Sequence, residues 1–247
     1  MTLLAVDRLR KAFGGVQAVG GVSFALLAGE MLALIGPNGA GKSTCFNMVG
    51  GQLRPDSGRV LLSGEDITGW APRAICRLGV GRTFQITATF ASMTVRENVQ
   101  IAILAAKRQA SALWRPARAR HQARADMLLQ RVGLVDQAER GAGVLAYGDL
   151  KRLDLAMALA NRPRLLLMDE PTAGMAPGER GALMALVREL ATREGIGVLF
   201  TEHDMDVVFG VADRILVLNR GELVADGDPA MIRADPLVQE IYLGAEA

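Results

Sequence analysis

The fold of this chain is decided by one short stretch, Gly36-Pro37-Asn38-Gly39-Ala40-Gly41-Lys42-Ser43-Thr44. An apolar run at residues 31–35 comes directly before it, and a helix-like run follows. The stretch fits the pattern G-x-x-x-x-G-K-[ST], in which backbone N–H groups and the positive end of the following helix hold a polyphosphate. Lys42 is expected to reach the β- and γ-phosphates, and the Ser43 hydroxyl is expected to hold Mg²⁺. We therefore predict a strand, a phosphate-binding loop and a helix, with a nucleoside triphosphate as ligand.

The composition is that of a chain that folds without disulfides and does not cross a membrane alone. Half of the 247 residues are hydrophobic, which is enough for a buried core. The cysteines, Cys45 and Cys76, have no metal-like spacing, and the N-terminus lacks a basic region followed by an apolar one. No window of 18 residues is wholly apolar. These observations predict a reducing cytoplasm as the location.

A basic segment lies near the middle of the chain. Residues 107–131 contain seven Lys or Arg side chains and one acidic side chain, Asp126, whereas the whole chain has a net charge of +2. Such a segment is most often the solvated face of a helix, and we favour that interpretation over contact with lipid headgroups or nucleic acid. Its one aromatic residue is Trp114, so we expect no nucleic acid partner.

The first half of the chain changes from strands to helices. Short apolar runs between Gly, Asp and Ser turn residues predict strands at residues 3–6, 22–27, 31–35 and 60–62. From about residue 94 the pattern favours helices, over 94–106 and 111–131. The middle of the chain is therefore expected to be a helical insert.

The second half alternates helix and strand. A helix is expected to start near Asp149 and to end near residue 161. Apolar runs at 165–168 and 197–200 flank another amphipathic helix, which favours parallel strands joined by crossover helices. A closing hairpin is expected around Asn219-Arg220-Gly221. Together the elements predict an α/β fold.

Two adjacent carboxylates, Asp169 and Glu170, follow the strand expected at 165–168. The carboxyl ends of strands are where α/β sheets bind their ligands. Because neighbouring residues of a strand point in opposite directions, we expect Asp169 to lie in the Mg²⁺ shell while Glu170 faces a water at the γ-phosphate. Glu170 is then the candidate general base.

In these motifs and in five further positions the chain resembles the nucleotide-binding subunits of ATP-binding cassette (ABC) transporters, in order over nearly the whole sequence. The further positions are Phe13, Gln85, the signature stretch Leu145-Ala146-Tyr147-Gly148-Asp149, the dimer-contact loop Ala173-Gly174-Met175-Ala176, and His203. The resemblance implies one ABC ATPase domain over residues 1–247. Its fold would be a P-loop NTPase core with a mixed or parallel sheet, an N-terminal antiparallel β subdomain and a helical subdomain inserted at about 93–160.

The resemblance also implies a role for each of these positions. Phe13 would lie against adenine, Gln85 would reach Mg²⁺ and the attacking water, and His203 would touch the γ-phosphate. Two copies would stack head to tail, so that Ala146, Tyr147, Gly148 and Asp149 contact the ATP held by the phosphate loop of the partner. ATP would bring the two subunits together and hydrolysis would release them.

The chain departs from the family pattern at three positions. The signature serine is Ala146, the signature glutamine is Asp149, and the aspartate of the dimer-contact loop is Ala176. A lost charge-assisted hydrogen bond is worth about 1.5 to 3 kcal/mol, whereas the helix N-terminus still stabilises an anion by about 0.3 to 1 kcal/mol. We expect ATP binding to survive and closure of the two subunits to be weakened or to need the membrane partner.

Within the family the chain looks most like ATPases of branched-chain amino-acid importers. The stretches that carry this likeness are Met93-Thr94-Val95-Arg96-Glu97-Asn98-Val99, Glu170-Pro171-Thr172-Ala173-Gly174-Met175 and Ile241-Tyr242-Leu243-Gly244. The resemblance implies ATP and Mg²⁺ as cofactors, and a peripheral location on the cytoplasmic face of the inner membrane. Its partners would be permease subunits, a second ATPase subunit of the same or another kind and, indirectly, a periplasmic binding protein. An exporter ATPase such as a lipopolysaccharide extractor, and a soluble non-transport ABC ATPase, are the alternatives.

Overall fold

A computed structural model describes residues 1–83, 89–107 and 121–243. Its strands are β1 (Thr2–Phe13), β2 (Val16–Leu27), β3 (Met31–Ile35), β4 (Ser57–Leu62), β5 (Glu65–Asp66), β6 (Val80–Thr83), β7 (Leu165–Asp169), β8 (Gly197–Thr201), β9 (Arg214–Asn219) and β10 (Glu222–Gly227). Its α-helices are α1 (Lys42–Val49), α2 (Pro72–Arg77), α3 (Val95–Ala106), α4 (Gln122–Arg131), α5 (Tyr147–Leu159), α6 (Pro177–Glu194), α7 (Met205–Val211), α8 (Pro229–Ala234) and α9 (Pro236–Leu243). Within these residues, no helix is long and apolar enough to cross a membrane.

The first sheet is antiparallel and has the strand order β2-β1-β4-β5. Its β1–β2 hairpin is much longer than the strands expected at residues 3–6 and 22–27, because both strands continue beyond their regularly alternating apolar parts. Register shifts interrupt the pairing in that extension, which hides the period of two in the sequence. The hairpin turns at Gly14 and Gly15, both with positive φ. The predicted N-terminal antiparallel sheet is confirmed.

The second sheet has the order β10-β9-β3-β8-β7-β6, and all its pairs are parallel except β9–β10. Every residue of β3 is buried. Met31, Ala33 and Ile35 belong to one hydrophobic cluster, while Leu32 and Leu34 belong to another on the opposite face. Since both faces are covered, the strand appears in the sequence as a continuous apolar run. The predicted mixed, mainly parallel sheet and its closing hairpin are confirmed.

Helices α3, α4 and α5 pack against one another between β6 and β7 of the chain. Buried residues from all three, among them Val99, Leu129 and Leu153, lie in the same hydrophobic cluster. Helix α3 begins with a capping box, in which Thr94 Oγ1 accepts from the Glu97 N–H at 3.1 Å and Glu97 Oε2 accepts from the Thr94 N–H at 2.9 Å. The helix predicted over 94–106 is thus confirmed.

The helix predicted over 111–131 and the helix predicted from Asp149 differ in extent from α4 and α5 of the structure. The predicted helix over 111–131 is described only as α4, and residues 108–120, which carry most of the basic segment, lie outside the described residues. Helix α5 begins at Tyr147, so the expected start near Asp149 is wrong by two residues. Ala146 is the N-cap and makes no side-chain cap hydrogen bond, whereas residue-type preference favours Asp in that role.

Candidate functional site

The phosphate loop joins β3 to α1 and needs its glycines. Gly36 has a φ of 150°, and a Cβ there would lie 2.2 Å from the carbonyl oxygen of Leu218. Gly41 has a φ of 100°, and a Cβ there would lie 2.3 Å from the carbonyl oxygen of Ala18. Gly39, with a φ of 79°, would add its Cβ into open space. The first and last glycines of the loop therefore allow β2 and β9 to hold it closely, while the middle one serves the turn alone.

Lys42 turns back over the loop it follows. Its side chain is buried, and Nζ donates to the carbonyl oxygens of Gly36 at 2.6 Å and Pro37 at 3.0 Å. Burial lowers the pKa of Lys42, and the charges of Glu170 and Asp169 act in the opposite direction. The ammonium group thus lies close enough to both carboxylates to feel their charge.

The remaining loop residues differ in exposure. Asn38 and Ser43 are exposed, Thr44 is half-buried and Ala40 is buried. The Ala40 carbonyl accepts from the N–H of Gly221 at 2.9 Å, which fixes the loop to the β9–β10 turn. No acidic residue lies in the first turn of α1, so the positive end of this helix is not offset by a carboxylate of its own.

Asp169 is the last residue of β7 and lies at the carboxyl ends of the parallel strands, where the phosphate loop follows β3. Its Oδ1 accepts from Thr201 Oγ1 at 2.8 Å, and its Oδ2 lies 3.9 Å from Arg82 Nη2. The parallel register pairs Asp169 with Thr201, so the contact follows directly from the β7–β8 pairing. The Asp169 side chain is about one-fifth exposed at 20%.

Glu170 lies beyond the strand and has a left-handed φ of 46°. Its N–H donates to the Thr201 carbonyl at 3.2 Å and to Thr201 Oγ1 at 3.1 Å. The expectation that strand pleating alone separates Asp169 from Glu170 is therefore wrong, because the turn at Glu170 sets its direction. A non-glycine residue with positive φ stores backbone strain, which is common at functional sites.

His203 contacts Glu170 from the segment after β8. His203 Nε2 lies 2.7 Å from Glu170 Oε1, and the Nε2–H form of the imidazole donates this hydrogen bond. The His203 side chain is half-exposed at 51%, whereas that of Glu170 is 21% exposed. The residue before His203 is the buried Glu202, whose carboxylate accepts from the Thr172 hydroxyl at 2.7 Å and so fixes the backbone beside His203.

The carboxyl ends of β3, β7 and β8 thus bring together four of the predicted site residues: Lys42, Asp169, Glu170 and His203. Gln85, by contrast, lies outside the described residues. Phe13 is half-exposed at the tip of the β1–β2 hairpin, with Lys11 Nζ 5.6 Å from its ring centroid. The same hairpin reaches the phosphate loop through the contact of Ala18 with Gly41.

The signature residues contact the dimer-contact loop and the first turn of α6. The Tyr147 ring covers Gly174, where a Cβ would lie 3.2 Å from Tyr147 Cε1. A Cβ at Gly148 would lie 3.0 Å from Glu179 Oε1. Asp149 Oδ2 accepts from Gln137 Nε2 at 2.8 Å. Asp149, which replaces the signature glutamine, is therefore hydrogen-bonded to Gln137 within its own subunit.

Two site residues were missed in the sequence. Thr201 holds both Asp169 and Glu170, but a threonine ending an apolar strand has no distinctive pattern. Arg82 donates through Nη2 to Asn47 Oδ1 at 2.8 Å and approaches Asp169. The available signal was a charged residue inside the short, otherwise uncharged strand Val80–Thr83.

The donor set fits a magnesium ion brought in with phosphates. Within the part of the chain that is described, no group of three or more His, Cys, Asp or Glu side chains could hold a metal by itself. Mg²⁺ is usually bound by one or two protein oxygens, water and substrate phosphates. The Ser43 hydroxyl and the Asp169 carboxylate are oxygen donors of that kind, at the predicted phosphate loop and at the end of β7.

Two family models match parts of this chain, and curated relatives match nearly all of it. The family model described as ABC transporter matches residues 19–173, and the model described as branched-chain amino acid ATP-binding cassette transporter matches residues 222–247. The high-affinity branched-chain amino acid transport ATP-binding protein LivG of Escherichia coli K12 is 41% identical, over 98% of both chains. BraF of Pseudomonas aeruginosa, which has the same description, is 40% identical over 98% of both chains.

Solved structures extend the likeness to the fold. An ATP-binding cassette of an ABC transporter in its ADP conformation superposes with a TM-score of 0.88 at 34% identity, over 99% of both chains. A nucleotide-free ATP-binding cassette from an ABC transporter gives a TM-score of 0.87 at 32% identity, over 98% of this chain and 99% of that one.

Proposed function

Because this chain belongs to the ABC transporter family of ATP-binding proteins, we propose that it is the ATP-hydrolysing, energy-coupling subunit of a membrane importer. The observation that carries the proposal is the grouping of Lys42, Asp169 and Glu170 at one edge of the sheet, with Glu170 hydrogen-bonded to His203. A phosphate loop alone would support binding. The carboxylate with a positioned histidine adds a means of hydrolysis.

In the proposed reaction the loop holds ATP and Glu170 takes the proton of the attacking water. Lys42 exchanges its two carbonyl contacts for phosphate oxygens, and hydrogen bonds in which donor and acceptor are both charged are stronger than those to neutral carbonyls. His203 holds the Glu170 carboxylate in one orientation. Mg²⁺, when bound with ATP through Ser43, Asp169 and Gln85, supplies charge neutralisation at the phosphate oxygens.

The rest of the proposed site comes from Phe13, which stacks on adenine, and from a second ATPase subunit. The signature residues Ala146 to Asp149 of one subunit meet the ATP of the other, which the exposure of Tyr147 and its place in the first turn of α5 support. We also propose that residues 1–247 form one ABC ATPase domain, with a helical subdomain at about 93–160. The packing of α3, α4 and α5 against one another supports the helical subdomain, and the hydrophobic cluster that they share with β3, β7 and β8 supports a single domain.

The proposed partners are membrane permease subunits, a second ATPase subunit and, indirectly, a periplasmic binding protein. The chain would act at the cytoplasmic face of the membrane. Branched-chain or related amino acids are the proposed solute, supported by the match over residues 222–247 and by the descriptions of relatives at 40 to 42% identity.

The test is a Glu170→Gln variant compared with the unaltered chain. We expect Mg²⁺-ATP binding to be retained and phosphate release to fall by about 100-fold or more, because only the base is removed. Phosphate release is measured with an enzyme-coupled assay, and binding is measured with a fluorescent ATP analogue.

A Glu189→Gln variant is the matched control, since Glu189 pairs with Arg193 on the solvent side of α6. It should keep the rate of phosphate release of the unaltered chain. If Glu170→Gln releases phosphate about as fast as this control, Glu170 is not the general base. If the unaltered chain does not bind the ATP analogue, the proposal is wrong.

A further inference from the structure

Arg82 is a largely but not fully buried charge that the proposed reaction does not use. In the parallel pairing of β6 with β7 its register partner is Leu167, two residues before Asp169. Side chains two residues apart on a strand lie on the same face, so Arg82 and Asp169 leave the sheet on the side of α1. The Arg82 side chain is 14% exposed.

Three contacts hold the guanidinium between α1 and β7. Arg82 Nη2 donates to Asn47 Oδ1 at 2.8 Å, and Arg82 Cζ lies 4.9 Å from the centroid of the Phe46 ring. The same Nη2 lies 3.9 Å from Asp169 Oδ2. A guanidinium can make these contacts together because it is planar, delocalised and carries several donors in fixed directions.

The two α1 residues that contact Arg82 lie one helical turn C-terminal to Ser43. Phe46 is three residues and Asn47 four residues after Ser43, so all three lie on one face of the helix. Arg82 therefore connects the turn that follows the proposed magnesium ligand Ser43 with the proposed metal-shell carboxylate Asp169.

Both oxygens of Asp169 then have a cationic or hydroxyl neighbour. Thr201 Oγ1 donates to Oδ1 at 2.8 Å, and the Arg82 guanidinium faces Oδ2. Burial lowers the pKa of Arg82 and the Asp169 charge raises it, but an arginine stays protonated in proteins. Rotation of the Asp169 carboxylate is thus restricted from both sides.

We propose that Arg82 is a positioning residue that fixes Asp169 relative to Ser43 and thereby sets the Mg²⁺ dependence of nucleotide binding. The inference rests on the proposed function of the same site. It assigns to Arg82 no contact with nucleotide or metal. Partners that orient a metal-binding carboxylate typically change metal affinity by about 10-fold to 100-fold when they are removed.

Loss of the Arg82 charge and loss of its positioning contacts should change Mg²⁺ binding in opposite directions, which makes the proposal testable. A positive guanidinium near Asp169 disfavours a second cation there, so removing only its charge would strengthen Mg²⁺ binding. Removing its positioning contacts would weaken it. Arg82→Lys keeps the charge and loses the planar fork, whereas Arg82→Met keeps an unbranched apolar side chain and loses both.

The experiment measures equilibrium binding of a fluorescent ATP analogue to the full-length chain carrying Glu170→Gln, so that nucleotide is not consumed. Each variant is titrated in EDTA and then across a series of Mg²⁺ concentrations. We expect unchanged affinity in EDTA, and a Mg²⁺ midpoint raised about 10-fold or more in both Arg82→Lys and Arg82→Met. Asn47→Ala, which removes only the acceptor, should shift the midpoint in the same direction by less, and it serves if an Arg82 variant fails to fold.

Arg164→Lys is the matched control, because Arg164 comes directly before β7 and donates to the Leu78 carbonyl at 3.0 Å, at the other end of the strand. Its Mg²⁺ midpoint should stay unchanged. Three results would each overturn the inference. The Mg²⁺ midpoint could stay unchanged in the folded Arg82 variants, or it could fall in Arg82→Met and stay unchanged in Arg82→Lys. The variants could also lose the same affinity for the ATP analogue with Mg²⁺ as in EDTA. If the Glu170→Gln parent binds no nucleotide in either condition, the proposed function fails and the inference fails with it.

Discussion

At the residue scale, the buried ammonium of Lys42 makes stability depend on pH. Burial lowers its pKa in the folded protein below the ordinary value of 10.5. Between the lowered pKa and 10.5 the unfolded chain holds more protons than the folded one, so the free energy of unfolding rises with pH in this window. A Lys42→Met variant lacks this gain. We expect the stability of the unaltered chain minus that of Lys42→Met to increase as the pH rises toward 10.5, measured by urea denaturation at several pH values.

Lys107→Met is the control for that series, because Lys107 is exposed at the end of α3. Its difference from the unaltered chain should stay flat over the same pH range. A flat difference for Lys42→Met as well would mean that the ammonium group is not desolvated in the folded protein.

Single residues could be predicted from the sequence where their partners are neighbours in the chain. The nine residues of the phosphate loop and the pair Asp169 and Glu170 are contiguous, so a local pattern contains them. Arg82 and Thr201 act through the pairing of β6, β7 and β8, whose partners are more than thirty residues apart in the sequence. A local pattern has no information about such register.

At the element scale, the start of α5 gives a prediction about both folding and association. Ala146 is its N-cap, with no side-chain hydrogen bond to the helix. An Ala146→Ser variant adds that bond and should raise the free energy of unfolding by about 0.5 to 2 kcal/mol, measured in urea. It also restores the hydroxyl that the family signature usually has, so we expect stronger ATP-dependent self-association of the Glu170→Gln chain, measured by sedimentation.

Ala71→Ser separates the two effects, because Ala71 is likewise an N-cap without a side-chain hydrogen bond, at the start of α2. It should stabilise the fold and leave association unchanged. Equal association of both serine variants would show that the signature hydroxyl plays no part in subunit closure.

The elements themselves were predictable where apolar periodicity is strong. Strands β3, β7 and β8 and helix α3 lie close to their predicted bounds. The long β1–β2 hairpin was underestimated because its outer half is largely exposed and irregular in register. The predicted start of α5 lies two residues late, because Asp149, whose residue type favours the N-cap, lies in the first turn of the helix, where an acidic side chain is also favourable.

At the scale of the whole molecule, the sequence predicted the class of fold but not the order of strands. Alternating strands and helices indicate a parallel sheet, and the structure has one. That β3 lies between β8 and β9, which follow it by more than 150 residues, depends on contacts far apart in the chain. The same arrangement is what brings the phosphate loop to Asp169 and His203.

The central claim is that this chain supplies ATP hydrolysis to a membrane importer. The most direct measurement is to tag the chain in its native cells, solubilise the membranes gently and identify by mass spectrometry what co-purifies. We predict multispanning permease subunits, a second ATPase subunit and a periplasmic binding protein that binds a branched-chain or related amino acid. Recovery of ribosomal or DNA-bound proteins, or of no membrane protein, would contradict the account.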